Sequence, residues 1–405
     1  MKIMKKCIES KFIKYFIVTL VTAIFVVMYL IYYRADFSSL IALNENISVD
    51  SFVTNLLKGV GQKANIFQFC EYNLQNVIIY LLTKGTNNAV VALNMYYLCS
   101  FLLIAVLMFI LFQKVKCSFC GSLFGSILLS FLPYHIERGQ GQIITSSFYV
   151  FIIFTMIVFE LFIDDDYKSG KAGQIIFFLF LPWIDIRAGY MLLIMFFILC
   201  IVMGNKKSWK TYALCEIVCL LGCIIITVLK KPSELQLNEK LQLASEEGMR
   251  TLDMLVPVRY HIVERLFNFR YDYDMTLNST RECGYNSMGF LISISFLYGL
   301  FVLLFKKRKD NRTVKLAWIN IIVILIANID GFGYLFEYSG FQVEYWNRMA
   351  IIIIINSIMI MTFSMERIQN WIEKKSSKLV GYIFAFLIYV VSFLDIFLRH
   401  SFYFG

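Results

Sequence analysis

Charge is what this chain has least of. Only 16% of its 405 residues are Asp, Glu, Lys or Arg, while 59% are hydrophobic. A soluble globular domain carries roughly 25% charged and 45–50% apolar residues, so a soluble fold is excluded. Proline is scarce too, with 4 residues against 39 Phe. Several chemical signatures are also missing. "DGFG" has the wrong spacing for a dinucleotide turn and no flanking strand, and there is no His-x-x-Glu-His-type zinc motif or nucleophile elbow. Soluble nucleotide-sugar chemistry on the cytoplasmic side is therefore not expected. The 10 cysteines form no framework. Cys117 and Cys120 resemble half a zinc site without a second half. Cys215, Cys219 and Cys223 fall on one face of an apolar helix, as small buried hydrophobes do. A Cys70–Cys283 bridge is possible on position alone.

Long apolar runs take the place of charge. They recur along the chain, several with the 18 or so residues that cross a hydrocarbon core of about 30 Å. The first, Tyr15 to Tyr33, is too long for a signal-peptide core and lacks a small-residue cleavage site, so it reads as a retained anchor. Candidate spans are 15–33, 89–112, 118–133, 145–163, 174–184, 189–204, 211–229, 287–305, 315–328, 346–364 and 380–397. Residues 174–204 are the delicate stretch, interrupted by "DIRAGY". As one straight helix it would be about 46 Å long. Asp185 and Arg187 would then lie near the bilayer centre, at about 2.5–3.5 kcal/mol each. Two spans meeting at a turn avoid that cost.

The net charge of +10 does not suggest nucleic acid, because the basic residues cluster in short loops between spans. With the break at Asp185, the loops on one side hold 21 of the 38 Lys and Arg. The short loops 134–144, 185–188 and 329–345 on the other side hold only Arg138 and Arg187. The expected architecture is all-α and polytopic, a single transmembrane domain over 1–405. It has about eleven spans, the N-terminus inside and the C-terminus outside. Two longer external segments remain, 34–88 and 230–286. The first contains "LQNVIIYLLTKG", too short to span and expected as an interfacial or re-entrant helix.

The polar residues then fall on one side. "PYHIERGQGQ", from Pro133, sets His135, Glu137 and Arg138 between two apolar runs. All three histidines, His135, His261 and His400, map to the external face of a topology derived from Lys and Arg alone. Asp50, Glu71, Asp185, Arg187, Asp330, Glu344 and Arg348 map there as well. Ionisable groups at membrane depth are functional candidates; the plainer account is pairing at headgroup level. As a set they suggest one external cavity.

The same motifs resemble bacterial polytopic proteins of glycosyltransferase C architecture. The particular likeness is to the membrane family often labelled "6-pyruvoyl-tetrahydropterin synthase-related", although nothing here resembles the soluble pterin enzyme. "VDSFVTNLLKGV" matches the family's Asp after the first span, at Asp50. "CEYN" around Glu71 is a degenerate form of its Asp-Phe-Pro element. "PYHIERGQGQ" resembles Pro-Tyr-His followed by Arg-Gly-x-Gly-His, with Gln142 in place of the last histidine. "LDMLVPVRYH" sets His261 in the position of the family's Pro-x-x-x-His. "YNSMGFL", "ANIDGFGYLF" and "VEYWNRMAI" resemble later elements at Gly331, Asn347 and Arg348, and "SFLDIF" a terminal Leu-Asp at Asp395. The order holds from about residue 50 to 395. The family commonly continues into a large external domain; an end at "RHSFYFG" fits a truncated or minimal version.

The resemblance implies a GT-C-like fold and transfer of a sugar from a polyprenyl-phosphate donor to an envelope glycan or protein on the external face of the cytoplasmic membrane. It implies Asp50 as general base, which needs hydrogen-bond reach of the acceptor hydroxyl, with Glu71 beside it. The two could share Mg or Mn. Arg138 and Arg348 would meet the phosphate bidentately, His135 and His261 would donate to it, and Arg187 and Asn347 complete the set. The departures at Gln142 and "EYN" keep two alternatives open. One is a flippase for a lipid-linked glycan, and the other an inactive GT-C-like assembly partner.

Overall fold

The computed structural model describes residues 10–32, 55–56, 70–136, 148–163, 170–204, 208–230, 248–255, 286–305, 312–329, 331–338, 343 and 345–397. Helices dominate. They are α1 (Lys11–Tyr32), α2 (Leu74–Thr86), α3 (Ala89–Lys114), α4 (Phe119–Ser130), α5 (Tyr149–Val158, extended by a π-turn at Phe159–Ile163), α6 (Lys171–Ile184) and α7 (Ile186–Met203). After them come α8 (Trp209–Lys230), α9 (Thr251–Leu255), α10 (Phe290–Phe305), α11 (Arg312–Ala327), α12 (Phe332–Tyr338), a 3-10 turn (Trp346–Met349) with α13 (Ala350–Lys375), and α14 (Lys378–Phe397). Among the described residues the one β pairing is an isolated parallel bridge, Met249 to Asn328. Seven helices are long and apolar enough to cross a membrane, and Tyr149–Ile163, Lys171–Ile184 and Phe290–Phe305 are shorter apolar helices. The protein is all-α and built for a membrane, as its composition requires.

α13 is the hub. Its run "IIIIINSIMIM" is apolar on every side, the pattern of a helix buried all round. It packs against α4, α5, α10, α11 and α14. Its most apolar stretch is 83% buried, against 22% for α1 and 17% for α14, so those two lie at the periphery. A polar pair ties it to α11 in the interior, Asn356 Nδ2 donating to Asn320 Oδ1 at 2.8 Å.

The expected break inside 174–204 is present. Asp185 leaves the helix with φ −154° and caps α7 by accepting from the backbone N–H of Arg187 and Ala188 at 2.9 and 3.3 Å. The chain reverses there. A Cβ on Gly189 would stand 3.2 Å from Pro182 Cα, whereas seven residues of continuous helix would separate them by about 10 Å. Cys215, Cys219 and Cys223 are fully buried on α8. The Cys219 thiol faces the Gly189 carbonyl at 3.9 Å, so these cysteines are the small buried hydrophobes that their spacing suggested, placed where α6, α7 and α8 pack together.

Polar contacts gather the helix ends into two groups. At one end Lys14 donates to Gln113 and Lys114 pairs with Glu160 at 2.9 Å. Arg312 donates to the Val115 carbonyl at 3.1 Å and Lys315 to the Ile163 carbonyl at 3.0 Å. Cations there satisfy the orphan carbonyls of two helix C-termini, where the dipole also favours them. Cys117 is buried at this end, and burial, then the Glu366 carboxylate, push its thiol up. That is the opposite of what a thiolate metal ligand needs.

The other end gathers α2, the α6–α7 turn and the start of α13. α2 is the short helix expected in segment 34–88, with 13 residues and an Asn cap on either side. Asn73 accepts from Gln75 and Asn76 N–H, and Asn87 ends the helix in the left-handed region at φ 52°. Its length of about 20 Å cannot span.

Candidate functional site

The candidate residues that the structure describes are Glu71, His135, Arg187, Asn347 and Arg348. Asp50, Arg138 and His261 lie outside the described residues, as do Cys283 and Gln142.

Arg187 and Arg348 come together on one aromatic ring. Asp185 fixes the first turn of α7, which carries Arg187. The 3-10 turn before α13 carries Arg348, buried at 6% exposure. Tyr345 lies between them in sequence-distant space: the Arg348 guanidinium carbon is 4.4 Å and that of Arg187 4.8 Å from its ring centroid. A guanidinium over an aromatic face gains about 0.5–2 kcal/mol depending on desolvation. Here the ring holds two like charges in one neighbourhood. The backbone under them is pinned on both sides. Tyr134 donates its hydroxyl hydrogen to the Arg348 carbonyl at 3.0 Å, and Asn286 Nδ2 to the Asn347 carbonyl at 3.4 Å. The Trp346 indole N–H is buried and has no hydrogen-bond partner among the described residues.

Glu71 sits in a tight turn. Glu71 and Tyr72 both have positive φ, 52° and 54°, and Asn73 N–H donates to the Cys70 carbonyl at 2.9 Å. This is the pattern of a type I′ turn, whose two central positions favour Asn and Gly. Each larger residue there costs about 1–2 kcal/mol, and such strain concentrates at functional sites. Asn76 Nδ2 braces the turn by donating to the same Cys70 carbonyl at 3.2 Å. Gln75 then links it to the arginine side, because its Nε2 donates to the Ile184 carbonyl at 3.1 Å and its Oε1 accepts from Tyr96 at 2.8 Å. Glu71, Arg187, Asn347 and Arg348 therefore belong to one braced framework.

His135 plays a different part. It is completely buried, with Nδ1 2.7 Å from the Ser130 carbonyl and Nε2 2.7 Å from Ser100 Oγ. A carbonyl only accepts, so Nδ1 carries the proton; the Ser100 hydroxyl lies between Nε2 and the Tyr97 carbonyl, 2.6 Å from the latter. The ring packs 4.1 Å from Phe101 and 5.2 Å from Phe148. Both nitrogens are engaged in holding α4 to α3. His135→Phe keeps the ring volume but strands the Ser130 carbonyl. We expect it to lower thermal stability in detergent by about 1–3 kcal/mol; an unchanged melting temperature would refute this pinning role.

Other pieces of the motif pattern also touch. The Phe290 N–H donates to Asp395 Oδ2 at 2.6 Å, and Asn286 reaches the Asn347 segment as above. Tyr345 and Gln75 escaped the sequence reading. Tyr345 stood inside the quoted "VEYWNR", but nothing in the spelling assigns it Arg187 as neighbour. Among the described residues no three His, Cys, Asp or Glu side chains are grouped to hold a metal ion. A divalent ion would need Asp50 beside Glu71.

Comparison with protein-family models, with curated protein sequences and with solved structures finds no match.

Proposed function

We propose that the protein is a membrane glycosyltransferase of GT-C-like type, using a polyprenyl-phosphate sugar donor at the end of the bundle that carries Arg187, Tyr345 and Arg348. The supporting observation is the meeting of two guanidinium groups on one ring at an end that also holds the braced Glu71 turn. Guanidinium matches phosphate geometry bidentately and keeps its charge at any physiological pH. The leaving group of such a donor is a lipid phosphate, so fixed cations aimed at it stabilise the charge that develops during transfer.

In this reading Arg187 and Arg348 bind the phosphate, with Arg138 a further ligand, and Asn347 keeps the Arg348 backbone in place. Asp50 takes the proton of the acceptor hydroxyl, and Glu71 orients that hydroxyl. His261 donates to the phosphate. The helices make eleven spans with the lysine-rich end inside, so the site opens outward from the cytoplasmic membrane. A flippase fits less well. It needs a matching site at the opposite end, where Arg312 and Lys315 already serve helix carbonyls.

The test is the envelope glycan and lipid-linked intermediate profile of the source organism lacking the gene, rescued by wild type or Asp50→Asn. Loss of one defined sugar, restored by wild type alone, is the expected result. Accumulation of a complete lipid-linked glycan relieved by both versions would replace the transferase by a transporter. A profile unchanged by deletion would sink both.

A further inference from the structure

The turn between α6 and α7 carries a carboxylate that has no part in the proposed reaction. Asp185 caps α7 through Oδ1 alone, accepting from the Arg187 and Ala188 N–H. The residue is half-buried. Its Oδ2 has no hydrogen-bond partner among the described residues and keeps accessible surface. The Arg187 guanidinium is turned instead to the Tyr345 ring.

A protein hydroxyl is close by, that of Tyr149 at the start of α5, but a chain of hydrogen bonds turns it away. The Ile184 carbonyl can only accept, so Gln75 offers it Nε2, at 3.1 Å. Gln75 Oε1 is thereby set toward Tyr96, whose hydroxyl donates to it at 2.8 Å. With its hydrogen given to Gln75, the Tyr96 hydroxyl can only accept from Tyr149, with which it also pairs. The Tyr149 hydrogen is therefore committed to Tyr96. Asp185 Oδ2 is left to a donor from outside the protein.

Its position selects that donor. Asp185 caps the N–H of the residue proposed to bind the lipid phosphate, so carboxylate and guanidinium belong to one helical turn. In a polyprenyl-phosphate sugar the ring is joined to the phosphate through one oxygen, and the ring carries the hydroxyls. We infer that Asp185 reads the donor sugar: Oδ2 accepts from a ring hydroxyl, and its charge favours a neutral sugar over a uronic acid. The inference rests on Arg187 and Arg348 as the lipid-phosphate site and adds the class of sugar to it.

The purified protein in lipid nanodiscs would be titrated with polyprenyl phosphate, polyprenyl-phosphate glucose and polyprenyl-phosphate glucuronate. All should bind. Glucose should be favoured over glucuronate about fivefold, the effect of two like charges about 4 Å apart in a water-like dielectric. Asp185→Asn is the decisive variant, because Asn caps a helix as well as Asp does. It should melt with the wild type and bring the two sugars to parity. Asp185→Ala should also bring them to parity, but at a lower melting temperature, since the cap is lost. Equal binding of the two sugars by the wild type, or an Asp185→Asn protein that still tells them apart, would overturn the assignment and leave the phosphate site standing. Binding of none of the probes, polyprenyl phosphate included, would remove the phosphate site and this inference with it. The wild-type ratio alone decides the matter should Asp185→Asn fail to fold.

Discussion

Arg348→Lys should leave the protein folded and cut sugar transfer by about 10²–10³-fold, the loss typical of removing one preorganised donor from a developing oxyanion. The substitution keeps a positive charge at a buried position, so simple charge neutralisation is not what it measures. What it removes is the planar fork that can bind a phosphate through two parallel hydrogen bonds and that stands 4.4 Å from the Tyr345 ring centroid. A point charge on a flexible stem does neither. On the proposed reaction the loss should appear in kcat rather than KM, because the interaction would strengthen as the phosphate leaves. Transfer within about threefold of wild type would leave the arginine pair without a catalytic role. Arg187→Lys should fall in the same direction, and the double variant should lose less than the product of the two, since both guanidiniums share one ring and one proposed ligand.

Gly333→Ala should produce a large structural effect for a single methyl group. A Cβ there would stand 2.6 Å from the Ile326 carbonyl oxygen and 2.7 Å from the Trp346 ring. The first obstacle is helix backbone at the end of α11, which cannot move without breaking the turn. The ring must give way instead, and it belongs to the residue two before Arg348. Overpacking of this kind costs about 1–3 kcal/mol, and we expect the upper part of that range. Thermal unfolding in detergent reads the stability, and transfer should fall with it because the 3-10 turn is displaced. A melting temperature equal to wild type would mean that the Gly333–Trp346 contact does not set the position of the arginine pair. A methyl on Gly331 would meet the same constraint, with the Leu325 carbonyl oxygen 2.7 Å away.

These two positions also separate what could be read in the spelling from what could not. Gly331, Asn347 and Arg348 were legible as motif positions, but Tyr345 was not, although it is only three residues from Arg348. Its role depends on Arg187, which is 158 positions earlier in the chain. No periodicity reaches that far. Glu71 was legible as a carboxylate, while the left-handed backbone that presents it, at φ 52°, was not. Glu-Tyr is a poor sequence for such a turn, and only the bracing from Asn76 and Asn73 makes it affordable. His135 stood out for the same reason as Arg348, a polar group beside an apolar run, and the fold used it to tie two helices together.

The sequence by itself determined the membrane class, the break at Asp185, the short capped helix at 74–86 and the buried cysteine face of α8. Each follows from a local quantity: a run length, a charge that cannot lie at the bilayer centre, a cap residue, a helical spacing. Tertiary structure alone decided that α13 is the centre and α1 and α14 the rim, and that Arg187 and Arg348 share Tyr345. The reason is physical. In lipid a helix is apolar on both its buried and its exposed faces, because the tails are as apolar as a Leu side chain. The pattern that reveals the inner face of a water-soluble helix is therefore erased, and neighbours are chosen by close packing and a few polar contacts.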